Sequence, residues 1–228
     1  MLLSKKIYWR ATASAIVLSL VLLLIPDTRA ELSGDNLLKV TFLNIRQGDS
    51  MVIRTPSGKV IVVDGGQKGT RYSPFDAGEE VVVPYLEGLG IKKIDMVVAT
   101  HPDYDHMGGL VAVLNSHFSI GKILDCGIVH TTGTYHRYMK AIESRKIPVQ
   151  VADAGQVLDW GDQVEATVIS PEGPARKRMH LNLNNNSVVI RLVYGDISFL
   201  LTGDCEHEQE HLILSSGARL NSDILKAG

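Results

Sequence analysis

The sequence predicts a layered protein of mixed α and β structure, with a site gathered along one rim of its strands. Three observations lead there. Apolar runs of strand length recur along the chain, with helix-compatible stretches between the middle ones. Three of these runs end in loops that carry acids or histidines, at 64–66, 101–106 and 202–204. Strand ends on one rim are where layered α/β proteins assemble their sites. Finally, two His and two Asp fall within six residues, His101-Pro102-Asp103-Tyr104-Asp105-His106, directly after the apolar run 94–99. Asp, Tyr and Pro also make ordinary turns. Four ligand-type residues in six are harder to explain that way, since imidazole nitrogen and carboxylate oxygen are ordinary ligands for Zn, Mn and Fe. Gly108 and Gly109 let the backbone pass close to the same point.

Taken in order, 37–43 is apolar and β-compatible, and 44–50 is a polar turn. Runs 51–55 and 59–63 form a hairpin about Pro56-Ser57-Gly58. The second ends in Asp64-Gly65-Gly66. A helix is expected within 77–89, stopped by Gly88 and Gly90. Strand 94–99, the ligand cluster and a helix-compatible 110–114 follow, then a strand over 122–125. Thr134 is expected to cap a helix running through Lys146, with Tyr135, Tyr138, Met139 and Ile142 on one face. Short strands at 148–152, 156–158 and 164–170 lead into a polar loop, 171–185. Strands 187–194 and 197–201 pair through Gly195-Asp196, and the second ends in Thr202-Gly203-Asp204. A helix over 206–214 precedes a last strand beginning at Asp223.

The chain has 228 residues, 45% hydrophobic and 21% charged, enough for one sizeable domain or two small ones. Residues 1–30 are expected to lie outside the fold. Lys5, Lys6 and Arg10 precede an uncharged run, Ala11–Ile25, which Pro26 breaks before Thr28-Arg29-Ala30. This is a secretory signal peptide pattern, with an uncleaved signal anchor as the alternative. The run is short of the roughly 20 residues a membrane span needs. Removing residues 1–30 takes Lys5, Lys6, Arg10 and Arg29 from 23 basic residues and Asp27 from 25 acidic ones, leaving 19 and 24, a net charge of −5. Such a domain does not bind polyanions through its overall field. The two cysteines, Cys126 and Cys205, are read as inert thiols.

These motifs resemble the metallo-β-lactamase-fold hydrolases, and within them the soluble domain of the competence protein ComEC and its stand-alone secreted relatives. The superfamily carries His-x-His-x-Asp-His after a strand, and the ComEC branch His-x-Asp-x-Asp-His, which 101–106 match. Gln47-Gly48-Asp49-Ser50, Val63-Asp64-Gly65-Gly66, Asn186-Ser187 and Leu201-Thr202-Gly203-Asp204 match further motifs, and 223–228 resemble the strand leading to a final His-His-Gly-Ser. The likeness runs from about residue 38 to the last residue. Asn44-Ile45-Arg46 departs from the branch's Asp-Val-Gly. The resemblance implies an α+β fold, a four-layer αββα sandwich over 31–228 that is incomplete at its C-terminal end, so that this chain alone is expected to be inactive or nearly so.

The resemblance also assigns roles. His101 and Asp103 would hold a first metal, Asp105 and His106 a second, and Asp204 would bridge the two, with Asp105 and Asp204 central to catalysis. Asp49 and Asp64 would orient ligands. Asn185 and Asn186 would either donate to substrate oxygens or cap loops. Two divalent ions are expected, Zn or Mn ahead of Mg; Asp103 in place of an imidazole makes the site harder and shifts the expectation from Zn toward Mn or Mg. The function implied is an exported metal-dependent phosphodiesterase or nuclease acting on DNA. The alternatives are another hydrolase on the same fold, such as a phosphorylcholine esterase or a β-lactamase, and a metal- or DNA-binding module without catalysis. His207 and His211, four apart among Glu206, Glu208 and Glu210, read as a solvated helix face.

Overall fold

The computed structural model describes residues 36–71, 74–174 and 182–228. Residues 1–30, read from the sequence as a signal peptide or anchor, lie outside them. Among the described residues no helix is long and apolar enough to cross a membrane. The fold described occupies Leu37–Gly228.

Eleven strands form two sheets among the described residues. The first has the order β1 (Lys39–Phe42), β2 (Met51–Arg54), β3 (Val60–Val63), β4 (Lys93–Ala99), β5 (Ser119–Asp125), β6 (Val149–Val151). Its first three strands are antiparallel neighbours, as tight turns require, and β3 through β6 run parallel. Parallel neighbours need crossovers, and helices supply them. A π-helical turn, Gly78–Val82, continues into α1 (Val83–Gly88) between β3 and β4. The one-turn α2 (Tyr104–Met107) and α3 (Leu110–Asn115) lie between β4 and β5, and α4 (Gly133–Arg145) between β5 and β6. The second sheet has the order β11 (Ile224–Lys226), β10 (Ile197–Leu201), β9 (Val189–Tyr194), β8 (Glu165–Ser170), β7 (Val157–Leu158), and α5 (His207–Ser215) joins β10 to β11.

Alternation along the strands of the first sheet explains why it is buried on both faces. Val60, Val62, Val97 and Ala99 face the helices and pack with Leu86, Leu110, Leu114, Tyr138 and Ile142. Ile61, Val63, Met96 and Val98 face the second sheet and pack with Trp160, Val168, Ile190, Leu192 and Leu201. On the far side of the second sheet, Ile169 and Val189 pack against Ile213 of α5. The order of layers is therefore helix, sheet, sheet, helix, as the sequence predicts.

Two elements differ locally from expectation. The cap of α4 is Thr132, whose hydroxyl accepts from the Tyr135 N–H at 3.3 Å, and not Thr134, which lies inside the first turn. Lys146 ends that helix in the left-handed region, φ 53°. β5 begins at Ser119, earlier than expected, because Ser119 and Ile120 pair with Lys93 and Ile94 of β4 although they are exposed or half-exposed.

Register puts every candidate residue on one rim. Val63 and Val98 are paired, so Asp64 and His101 follow neighbouring strand ends. Met51 opposes Val63 in antiparallel β2, so Asp49 enters from the same side. In the second sheet Leu201 is paired both with Ile190 and with Lys226, which brings Ser187, Asp204 and Lys226 to one end. A bond from the Val188 N–H to the Thr100 carbonyl, 2.9 Å, joins the two sheets there.

Candidate metal centre

Asp64 is the buried root of the site. It is 0% exposed and has a left-handed backbone, φ 54°, that a non-glycine residue adopts at a cost of about 1–3 kcal/mol. Its carboxylate is fully engaged. Oδ1 accepts from the Thr100 N–H at 2.9 Å, and Oδ2 from the Thr100 hydroxyl at 2.6 Å and from His106 Nδ1 at 3.0 Å. Burial would raise this carboxyl. The hydrogen bond and charge of His106, the charge of His101 and the Thr100 hydroxyl outweigh burial and hold it below its ordinary range.

Those bonds fix the imidazoles. Thr100 spends its proton on Asp64, so its oxygen accepts from His101 Nδ1–H at 3.0 Å. The lone pair of His101 is then on Nε2, which is buried and has no hydrogen-bond partner among the described residues. It lies 3.5 Å from Asp103 Oδ2. His106 turns Nδ1 to Asp64 and Nε2 to Asp204 Oδ2, 3.1 Å away. The two rings are 4.2 Å apart between centroids. Ser187 Oγ accepts from the Asp204 N–H at 3.2 Å, and the left-handed Gly203, φ 55°, brings Asp204 over it.

Ligand atoms of His101, His106 and Asp204 lie within 4.8 Å of one another. A buried nitrogen lone pair without a partner, a second imidazole backed by a carboxylate and a half-exposed third ligand suit a divalent cation. Two imidazoles and one carboxylate are compatible with Zn or Mn. Asp49, Asp64 and His106 form a second convergence within the same distance. Asp64 thus sits where an orienting carboxylate should.

The other predicted residues are placed as follows. Asp103 stands beside His101 Nε2. Asp105 is in neither convergence. It rides on α2, and its Oδ2 accepts from Gln47 Nε2 at 3.1 Å. Asn185 caps α5: its Oδ1 accepts from the N–H groups of Glu206 and Gln209 at 3.2 and 3.1 Å, and its Nδ2 donates to Glu208. Asn186 Nδ2 donates to the Asn182 carbonyl. His207 and His211 meet edge to face on α5, centroids 4.3 Å apart, in neither convergence. No disulfide joins Cys126 and Cys205. Sequence reasoning missed Thr100, Ser187 and Lys226. Thr100 directly precedes the 101–106 motif and Ser187 stands within Asn186-Ser187, which is a usable signal. Lys226 gave only a lysine ending an apolar strand.

Between two carboxylates, His106 is pushed up to about 10: burial opposes the charged ring, but hydrogen bonds and charges from Asp204 and Asp64 prevail. Asp204 is held at about 2, chiefly by the bond from His106, with the charges of His106, Lys226 and His101 adding to it. A raised imidazole contributes fully below its unfolded value of about 6.5, and a depressed carboxylate fully above about 3.9. Without metal, this pair is therefore expected to stabilise the fold most between those values. The contribution fades on the alkaline side as pH climbs toward about 10, and on the acid side toward about 2. Thermal unfolding in chelator, compared with Asp204→Asn across pH, checks this. The difference should shrink from pH 6 to pH 10, and an unchanged difference would contradict the pairing. Saturating Zn should remove the alkaline slope, because an ion displaces the Nε2 proton.

The profile of the Metallo-beta-lactamase superfamily matches residues 43–227. ComE operon protein 3 of Bacillus subtilis is 30% identical over 199 residues, 83% of this chain and 25% of that protein. Competence protein ComA of Neisseria gonorrhoeae is 28% identical over 201 residues, 88% of this chain and 25% of that protein. The chain spans about a quarter of the length of these curated relatives. Among solved structures, the metallo-β-lactamase fold protein YhfI of Bacillus subtilis aligns with a TM-score of 0.46 and 15% identity over 78% of this chain and 62% of that one. A Cronobacter sakazakii metallo-β-lactamase with a HARLDQ motif aligns with a TM-score of 0.48 and 14% identity over 82% and 76%. With its family profile matched from the end of β1 to the end of β11, and its histidines and acids gathered on one rim, this chain belongs to the metallo-β-lactamase superfamily and is related to competence proteins.

Proposed function

We propose that the chain is an exported, metal-dependent phosphodiesterase that cleaves DNA, in a competence-type role. The observation that carries the metal dependence is His101, whose buried Nε2 makes no hydrogen bond among the described residues while Thr100 holds the other nitrogen. The competence relatives and the match of 101–106 to His-x-Asp-x-Asp-His support DNA as substrate. Export rests on the signal-like pattern of residues 1–30.

In this reading His101, His106 and Asp204 hold a divalent ion, with Asp103 alongside. When bound, the ion supplies a Lewis acid that polarises a phosphoryl oxygen. Asp64 fixes the His106 ring so that Nε2 points outward, and Thr100 does the same for His101. Ser187 sets the backbone of Asp204. Asp204 is 30% exposed at the side chain while both histidines are buried, so substrate approaches from the Asp204 side.

The test is cleavage of single- and double-stranded DNA with Mn or Zn, with and without EDTA. Any cleavage by wild type, however weak in this chain alone, should require metal. Asp204→Ala should lose at least about 100-fold, the scale of removing one electrostatic stabiliser. Activity that survives EDTA would refute the metal dependence. Hydrolysis of phosphorylcholine esters or β-lactams, with DNA left intact, would move the assignment to another hydrolase of this superfamily.

A further inference from the structure

The two convergences of ligand atoms at the rim suggest at first two ions. The charges that face them show that they are not equivalent. In the group of His101, His106 and Asp204, the Nε2 of His101 has no hydrogen-bond partner among the described residues and lies 3.5 Å from Asp103 Oδ2. In the group of Asp49, Asp64 and His106, two ligands are held by hydrogen bonds, and Asp49 Oδ2, which makes no hydrogen bond among the described residues, faces an ammonium instead. Asp64 uses both oxygens on Thr100 and His106, and His106 Nδ1 faces Asp64. Asp49 Oδ2 is ion-paired with the Lys226 ammonium.

Lys226 reaches this point from the end of β11, with its side chain 9% exposed. Its Nζ donates to the Gly203 carbonyl at 2.8 Å and lies 3.5 Å from Asp204 Oδ1. Asp204 Oδ2, the other oxygen of the same carboxylate, faces His106 Nε2. One carboxylate therefore has an imidazole nitrogen on one oxygen and an ammonium beside the other. That ammonium also neutralises Asp49, the free carboxylate of the second group. A positive charge stands between the two groups, where a second cation would have to share Asp204 and take Asp49.

We propose that Lys226 holds the place of a second metal ion, so that the centre works with one divalent ion and one fixed ammonium. The proposal rests on the metal centre assigned above. A divalent ion and an ammonium a few ångström apart repel each other. Lys226 would thus exclude a second ion both by charge and by occupying Asp49. It also leaves a positive group beside Asp204, where a substrate phosphate oxygen would arrive. The backbone of Lys226 is held separately: its carbonyl accepts from the Thr202 hydroxyl at 2.6 Å, and β11 pairs with β10. Side-chain variants should therefore keep the strand.

The experiment counts ions on the full chain in the absence of substrate, by Mn and Zn titration calorimetry and by elemental analysis after desalting. Wild type should bind one equivalent. Lys226→Met should take up a second, Lys226→Arg should remain at one, and the double variant Lys226→Met with Asp49→Asn should return to one. Two equivalents in wild type would overturn the proposal and leave the metal centre standing. One equivalent in both wild type and Lys226→Met would overturn it too, since the lysine would then exclude nothing. No ion bound by wild type would overturn the centre itself, and this inference with it.

Discussion

Replacing Asp64 by asparagine is expected to cost the centre about 10- to 100-fold in metal affinity, although Asp64 need not touch the ion. The reason lies in the His106 tautomer. The carboxylate accepts from His106 Nδ1, which leaves Nε2 free to ligate. An asparagine there must use its one oxygen for the Thr100 N–H and present its amide protons to the Thr100 hydroxyl and His106 Nδ1. The imidazole hydrogen then moves to Nε2 and blocks the ligand atom. The Thr100 hydroxyl also loses its acceptor, so the hydrogen that His101 donates to it at 3.0 Å loses its support. Asparagine tolerates the positive φ and keeps the volume, so the fold should survive with a loss of about 1–3 kcal/mol for the mispaired buried groups. Titration of Zn into the variant, with Asp105→Asn as the control outside both convergences, measures the effect. Unchanged affinity for Asp64→Asn would mean that His106 is not positioned through Asp64.

Gly109→Ala should instead strike stability. Gly109 has an ordinary φ of −72°, so it is not required for its backbone freedom. Space is the constraint. A Cβ there would lie 1.9 Å from the Gly65 carbonyl oxygen and 2.7 Å from the Gly78 nitrogen, and both are backbone atoms that cannot rotate away. The same knot includes Gly65, whose Cβ would lie 2.5 Å from the Leu110 nitrogen, and Gly78, at 2.1 Å from the Gly109 carbonyl. Here the loop after β3, the π-helical turn and the start of α3 touch main chain to main chain. Overpacking against backbone costs about 3 kcal/mol or more. For a domain of this size that is a fall of roughly 10 °C in the thermal midpoint. Gly88→Ala, where nothing stands within 4 Å, should change little. A Gly109→Ala midpoint within a degree or two of wild type would mean that the knot is looser than its distances.

The strands were legible because their apolar runs are short, bounded by Gly and Pro, and alternate between two cores. Val60-Ile61-Val62-Val63 needs no other signal. The motif residues His101, His106, Asp64 and Asp204 could be named from strand ends, because register then delivers them to one rim. What could not be read is direction within that rim. Nothing in Tyr104-Asp105-His106 shows that a single helical turn points His106 inward and leaves Asp105 beside Gln47. Nothing local to Asn185 shows that its amide meets the first N–H groups of α5, some twenty residues onward, since that contact exists only once the helix has docked. Lys226 is hidden for the same reason: its partners Asp49 and Asp204 belong to different sheets.

The division of the centre between two sheets has a consequence for how the protein matures. His101 and His106 follow β4, whereas Asp204 follows β10, ninety-eight positions beyond His106. An ion held by all three is a clasp between halves of the chain that also meet through side-chain packing, the Val188–Thr100 bond and ion pairs such as Lys59–Asp159 and Lys226–Asp49. Ion binding then adds its free energy to closure of the sandwich, by RT ln(1 + [L]/Kd), or about 2.7 kcal/mol at a hundredfold excess over Kd. Metal availability where the chain folds therefore sets how much of it persists closed. Hydrogen exchange at the Val188 amide, read with and without Zn, reports that closure directly.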